Sequence, residues 1–388
     1  MKQENKKLDL ILTLDYEMYG DGSGDVFDTM INPTNQYLDF CARFGIKTTI
    51  FFEVMEYLKM DEEWENGNKM GYHSNPAKAI RNQLIHAYKQ GHDIQLHIHP
   101  HWVNARYVDH SWQPDPRYWK LTHVPLEADE HFPLGLKELL KQGKSALEDL
   151  LKPVDAEYVC NIFRTGGYSI TPSEKIVEVL KELGFVADSS VIPGAFLDNE
   201  YYTYDFRNVS DKIPYWRVGE KVEDQHDQLT GQLFEFPIFS KKIKRYKKYD
   251  WQRIKIALKN KHSNITKIKD KVEGKTSLIE KFKFFLEDEY LTWDFCLFST
   301  AKMNSFLKSA LIARDASEHK EFSPFVLIGH SKEFLEAGHL ERFLKKNVYR
   351  LNFMTLKQAV DKCQAITIQG IRPDDKIIDS SKKLIASF

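Results

Sequence analysis

Three histidines spaced two apart, His97, His99 and His101, fall in the run Gly91-His92-Asp93-Ile94-Gln95-Leu96-His97-Ile98-His99-Pro100-His101-Trp102. Residues 93–96 read as a short strand. Pro100 has no backbone N–H and resists helix, so the imidazoles sit on a strand end and turn. Neutral imidazole is the commonest nitrogen ligand for a zinc-type ion, and an open catalytic site takes about three protein ligands plus a water. His97 and His101 are the candidate metal ligands. A helical HExxH protease site is excluded, because Ile98 stands where the Glu would be and Pro100 breaks the helix. With fourteen histidines in the chain, incidental clustering is the competing reading.

The elements that must position these residues alternate along the chain. Residues 8–14 form an apolar strand ending in Asp15-Tyr16-Glu17, and Asn32-Pro33 opens a helix that runs to Phe44, with Asn as cap. Residues 47–52 read as a buried strand, and Asn75-Pro76 caps a helix through Lys89. Helical spacing over 134–151 precedes a strand at 158–163, a helix at 173–183 and a strand at 185–187. Later come strands at 233–238, 325–328 and 351–354, with a helix over 333–346. Strand, helix, strand with short connections implies a parallel α/β sheet with helical crossovers. Seven or eight strands suggest closure into a barrel, with an open doubly wound sheet as the competitor.

In such a fold the chemistry lies at the C-terminal ends of the strands. Those ends carry Asp15 and Glu17, the histidine cluster, Arg164-Thr165-Gly166-Gly167-Tyr168, Asp188-Ser189 and Gly329-His330-Ser331. Each alone has a plain structural role open to it: a turn cap for Asp15, a surface ion pair for Arg164, a helix cap for Asp188, a core position for His330. Their joint placement argues for a site.

Length, composition and charge bound the rest. The 388 residues suffice for one large domain or a domain with a sizeable insertion. Hydrophobic content of 42% with 29% charged residues is that of a soluble globular protein. A net charge of −1 gives the whole molecule no bias towards nucleic acid. Cys41, Cys160, Cys296 and Cys363 form no CxxC, which disfavours both a disulfide framework and a zinc ribbon. The first residues include no apolar leader, and no apolar run is long enough to span a bilayer, so the expected location is the cytoplasm.

One segment breaks the rhythm. Residues 241–275 hold fourteen Lys or Arg against Asp250, Asp270 and Glu273, a net of +11. Tyr246, Tyr249 and Trp251 accompany the charge, and Ile254, Ile256 and Leu258 fit an amphipathic helix. A solvated helical insertion is one reading. The other is docking on an anionic surface, a membrane, a lipid-linked sugar or an acidic glycan, with the protein peripheral at the inner membrane face in the membrane case. No nucleic-acid recognition motif accompanies the charge. The organisation expected is a barrel over 1–240 and 301–365, a basic helical insertion over 241–300, and a tail over 366–388.

Together these residues resemble the motifs of NodB-homology polysaccharide deacetylases, carbohydrate esterase family four. The family's Thr-Phe-Asp-Asp-Gly is matched by Thr13-Leu14-Asp15-Tyr16-Glu17. Its His-x-x-x-His maps onto His97 and His101, with His99 as an extra. Arg164-Thr165-Gly166-Gly167-Tyr168 is a looser match to Arg-Pro-Pro-Tyr-Gly, and Asp188 and His330 match the last two motifs. The resemblance spans roughly residues 8–360. It implies an irregular (β/α)7-type barrel, a divalent metal with zinc foremost, and removal of acetyl groups from N-acetylated sugars.

The resemblance also implies roles. Asp15 would be the base and Arg164 its anchor, while His330 would protonate the leaving amine with Asp188 hydrogen-bonded to it. A backbone N–H near Gly167 or Tyr168 would stabilise the oxyanion. The family's second aspartate, a metal ligand, is replaced by Tyr16. Residues two apart on a strand share a side, so Glu17 is the substitute ligand beside His97 and His101. The reverse assignment, Asp15 as ligand, stays open. Trp102, Tyr107, Trp112, Tyr118 and Trp119 either stack on a sugar ring or pack the loop, and Trp102 and Trp112 are the candidates for stacking. Two other functions compete: a metal-dependent amidohydrolase of a non-sugar C–N bond, and a degenerate barrel that binds carbohydrate without turnover.

Overall fold

The computed structural model of the chain describes residues 7–225, 232–259, 286–319 and 321–370. The strands in chain order are β1 (Leu8–Tyr16), β2 (Thr49–Glu53), β3 (Asp93–Ile98), β4 (Arg106–Val108), β5 (Ser111–Gln113), β6 (Ile162–Thr165), β7 (Ala187–Asp188) and β8 (Phe196–Asp198). They continue with β9 (Thr203–Asp205), β10 (Trp216–Arg217), β11 (Phe234–Glu235), β12 (Ser240–Lys244), β13 (Asp288–Thr292), β14 (Pro324–His330) and β15 (Leu351–Phe353). The helices are α1 (Asn32–Phe44), α2 (Val54–Glu65), α3 (Pro76–Lys89), α4 (Leu136–Leu151), α5 (Glu174–Glu182), α6 (Trp251–Lys259), α7 (Thr300–Ala316), α8 (Gly338–Asn347) and α9 (Leu356–Gly370).

The main sheet runs β10-β11-β7-β6-β3-β2-β1-β14, with β15 paired to the start of β1. β1 is buried along its whole length, as expected of a parallel strand covered on both faces. Leu8, Leu10, Leu12 and Leu14 pack with Tyr37 and Phe40 of α1. Thr13 and Asp15 face the other way, where one guanidinium reaches both. The parallel register sets the chemistry level across the sheet: Asp15 pairs with His330, Glu53 with His97, and His97 with Arg164.

The sheet is irregular, mixed and open, bent into a distorted (β/α) barrel. The irregularity agrees with the barrel type expected from the sequence, while the described strands do not resolve into seven β/α units. β7, β10 and β11 are two residues each, too short for full ladders, and β10 runs antiparallel to β11. Just beyond β11 the two ends of the sheet approach each other, the Ile238 N–H donating to the Val191 carbonyl at 2.9 Å on one side while the chain meets β14 on the other. The Phe239 N–H donates to the Val326 carbonyl at 2.9 Å and Ile238 bridges Val326. Residues 293–295 then lie along β14, with Asp294 bridging Ile328.

Local chemistry explains the helix ends. Asn75 caps α3 through the Lys78 N–H, as its position before Pro76 indicated. Asn32 does not cap α1, because a π-helical turn over Phe27–Ile31 runs into it. α2, not anticipated from sequence, starts directly from β2. The Glu53 carboxylate accepts from the Met55 and Glu56 N–H groups and makes the cap.

The basic segment begins as a strand and not as a helix. β12 pairs antiparallel with β13, a turn follows over Arg245–Lys248, and then comes α6. Ile256 joins the core, as do Trp293, Phe295 and Phe298. The segment expected at 241–300 as a separate insertion therefore contributes core at both ends, because its apolar residues return to β14. Residues 260–285 and the tail beyond 370 lie outside the described residues. No described helix is long and apolar enough to cross a membrane.

Candidate metal centre and catalytic residues

Asp15 and Glu17 leave the end of β1 on the same side. The intervening Tyr16 is fully buried on the other side, its hydroxyl donating to Gln83 Oε1 of α3 at 2.5 Å. Alternation thus brings the second carboxylate from position 17 to the site and removes Tyr16 from it.

Arg164 holds Asp15. Its Nη1 donates to Asp15 Oδ1 at 2.7 Å and to Thr13 Oγ1 at 2.9 Å, while Nε and Nη2 donate to the Ser189 carbonyl and hydroxyl. The guanidinium lies over the Phe51 ring at 4.1 Å and has no exposed surface. Four hydrogen bonds from one rigid planar fork fix the carboxylate's orientation, which a lysine would not.

Glu17 gathers the metal-type donors. Its Oε2 lies 2.9 Å from His99 Nε2 and 3.4 Å from His97 Nε2, and Oε1 accepts from Lys332 Nζ at 2.7 Å. Burial would raise this carboxyl, but Lys332 and the two imidazoles outweigh it and hold it well below the usual carboxylate range. His97 Nδ1 stands 2.9 Å from the Arg164 carbonyl. A carbonyl can only accept, so Nδ1 carries the proton and Nε2 is free to ligate. The His99 N–H is anchored at 2.6 Å to Glu53 Oε2. Burial depresses the His99 pKa, against the pull of Glu17, which favours the neutral, ligating form.

Glu17, His97 and His99 offer ligand atoms that all lie within 4.8 Å of one another. One carboxylate and two imidazoles suit a divalent cation of the zinc type in a site with open positions. His101, paired with His97 from sequence spacing, is not in this group. Its Nε2 meets the Gly20 carbonyl at 2.9 Å, and its ring stacks on Trp119 at 4.2 Å and 5°. β3 stays extended through His99 (φ −109, ψ 104) before the turn at Pro100. The strand's period of two therefore brings His99 beside His97, and the turn carries His101 away.

His330 leaves β14 with Nε2 3.7 Å from Asp15 Oδ2 and Nδ1 3.2 Å from Glu333 Oε2. Burial opposes its charge, but Glu333 and then Asp15 raise its pKa to about 9. The partner expected for His330, Asp188, lies elsewhere in the sheet. Asp188 accepts from the Ser190 N–H and hydroxyl, each at 2.9 Å, and pairs in register with Glu235. Burial raises both carboxyls, so the pair can hold one proton between them. Its neighbours are thus Ser190 and Glu235, where a direct Asp188–His330 contact was expected. Asp294, His330 and Glu333 form a second group with ligand atoms within 4.8 Å.

Lys332 and Glu333 are not legible in the sequence because they follow β14 on a short turn, Ser331–Glu333, where no periodicity marks an inward side. Lys332 also donates to the Met18 carbonyl at 2.8 Å, and the Ser331 hydroxyl donates to the Glu17 carbonyl at 3.2 Å. The turn therefore clamps Glu17 by side chain and backbone together.

The aromatic residues divide differently from expectation. Trp102 and Trp112 are buried against each other, ring centroids 5.3 Å apart, and neither presents a free face for stacking. Tyr168, half-buried, is the exception. It adopts φ +59 in a turn with Gly167 at φ +60, a left-handed backbone that is uncommon at a non-glycine residue.

Gly166 makes room for the His99 ring. A Cβ there would fall 2.4 Å from His99 Nδ1. Gly166→Ala should displace that ring, cost about 1–3 kcal/mol as overpacking, and lower metal content. Thermal unfolding with elemental analysis checks this, and an Ala variant with native melting and full metal would refute it.

No protein-family model matches the chain, and no curated protein matches it. Among solved structures it is similar to a Mycobacterium smegmatis protein designated a polysaccharide deacetylase, at 14% identity and TM-score 0.46, covering 96% of this chain and 94% of that one. It is also similar to PuuE allantoinase, at 14% identity and TM-score 0.44, covering 94% and 92%. A third is the catalytic domain of a peptidoglycan N-acetylglucosamine deacetylase from Eubacterium rectale, at 12% identity and TM-score 0.35, covering 90% and 89%.

Proposed function

We propose that this chain is a metal-dependent hydrolase that removes the acetyl group from an N-acetylated sugar, in the manner of NodB-homology polysaccharide deacetylases. The observation that carries the reading is the convergence of Glu17, His97 and His99 beside the Arg164-anchored Asp15 and His330. Glu17, His97 and His99 would hold the divalent cation, which when bound polarises the acyl carbonyl and acidifies a water. Asp15, with Oδ1 taken by Arg164, keeps Oδ2 to accept the water's proton. His330, steadied at Nδ1 by Glu333, turns Nε2 towards the same space and delivers a proton to the leaving amine. A backbone N–H of Gly167 or Tyr168 would receive the developing oxyanion.

A second reading, hydrolysis of a non-sugar C–N bond, draws support from the burial of Trp102 and Trp112, which removes two of the expected sugar platforms. Elemental analysis of the purified protein, paired with acetate release from nucleotide-sugar, lipid-linked and oligomeric N-acetylated substrates, separates the two. The expected result is stoichiometric metal and acetate release that chelation abolishes and zinc restores. Stoichiometric metal without acetate from any of the three substrates would shift the assignment to the non-sugar amide. A protein that neither holds nor responds to metal would overturn both.

A further inference from the structure

We propose that the turn Arg245–Lys248 and the outer side of α6 form a docking surface for an anionic lipid bilayer. α6 has two apolar sides. Ile256 packs into the core, and Gln252 beside it is likewise 3% exposed. On the other side, Trp251, Ile254 and Leu258 recur at helical spacing and are 78%, 39% and 56% exposed. A helix of a soluble domain ordinarily buries one stripe and solvates the other. Here the solvent side is apolar, and a tryptophan is its most exposed member.

The surroundings select the partner. Tyr246 and Tyr249, both about half exposed, extend the patch from the preceding turn. Of residues 241–259, nine are Lys or Arg and only Asp250 is acidic, so the net charge is 9 − 1 = +8. Four acids outside that range, Glu287, Asp288, Glu289 and Glu336, pair with some of these cations. Subtracting them leaves 8 − 4 = +4, on a chain whose total is −1. Positive charge concentrated around exposed aromatic and aliphatic side chains complements an anionic bilayer surface. The cations meet the headgroups, while Trp and Tyr occupy the interface and the aliphatic stripe enters the acyl boundary. A nucleic acid would use the charge but leave the Ile254 and Leu258 stripe uncovered.

The test is cosedimentation of the full chain with vesicles of phosphatidylcholine alone and of phosphatidylcholine mixed with phosphatidylglycerol. The expected result is binding to the mixed vesicles only, weakened by added salt as the Debye length shrinks. A Trp251→Glu/Leu258→Glu variant should bind at least about tenfold more weakly, with an unchanged circular dichroism spectrum because both side chains are exposed. Lys141→Glu, on the exposed side of α4, serves as a charge-reversal control and should bind like the parent. No pelleting with mixed vesicles at low salt would overturn the proposal. So would equal binding by the double variant, or Trp251-dependent binding to a homopolymeric RNA without vesicle binding. The assay contains no substrate, so its outcome is independent of the hydrolase reading. Conversely, loss of docking should leave hydrolysis of a soluble substrate intact.

Discussion

His99→Ala will strip the divalent metal from the purified protein, whereas His101→Ala will leave it in place. His99 Nε2 and His97 Nε2 converge on the same Glu17 oxygen, and removing one of three ligands from an open site should lower affinity by orders of magnitude. His101 is already committed to Gly20 and Trp119. Its loss should cost packing and one hydrogen bond, visible as a lower melting temperature at full metal occupancy. Elemental analysis after dialysis against a weak chelator reads both variants. Metal retained by His99→Ala and lost from His101→Ala would restore the pairing of His97 with His101.

The second large effect separates the two carboxylates. Asp15→Asn should keep the metal and the fold yet lose about 10²–10⁴ in kcat, the range expected when a general base is removed. The Asn oxygen can still accept from Arg164 Nη1, so the buried guanidinium keeps a partner. Asp15→Ala removes that acceptor and should additionally destabilise by about 3–5 kcal/mol, as for one half of a buried ion pair. Glu17→Gln should instead release the metal. Turnover by Asp15→Asn close to the parent would exclude Asp15 as base, and metal loss in that variant with retention in Glu17→Gln would exchange the two roles.

Much of this site was legible because a strand's period of two is a hard geometric rule. It identified Asp15 with Glu17 across Tyr16, and the same rule applied to β3 selects His99 over His101. The turn at Pro100 obscured that choice, since the sequence does not say whether extended backbone ends before or after His99. Arg164 was legible from its place at a strand end followed by two glycines. Glu333 was not, because side-chain direction in a short turn depends on what the turn packs against. Asp188 misled for a related reason: position in a motif says nothing about which strands lie between two ends. In the fold, α3 announced itself through Asn75 and Pro76. α2 did not, because its cap Glu53 is also the last residue of a buried strand.

The clamp between Ser331, Lys332 and Glu17 joins residues 314 and 315 positions apart. β14 likewise pairs along one edge of β1 from Asp9 to Asp15. During synthesis that edge is therefore open until the chain beyond residue 330 has emerged, and an apolar strand with a free edge is a template for unwanted pairing. Contacts of such long sequence separation also slow folding, since the loop entropy must be lost before the pairing is gained. The order of translation makes assembly of this site a late event for the nascent chain: ribosome-bound chains ending before Ser331 should lack the clamp on Glu17, and their β1 should depend on a holding chaperone.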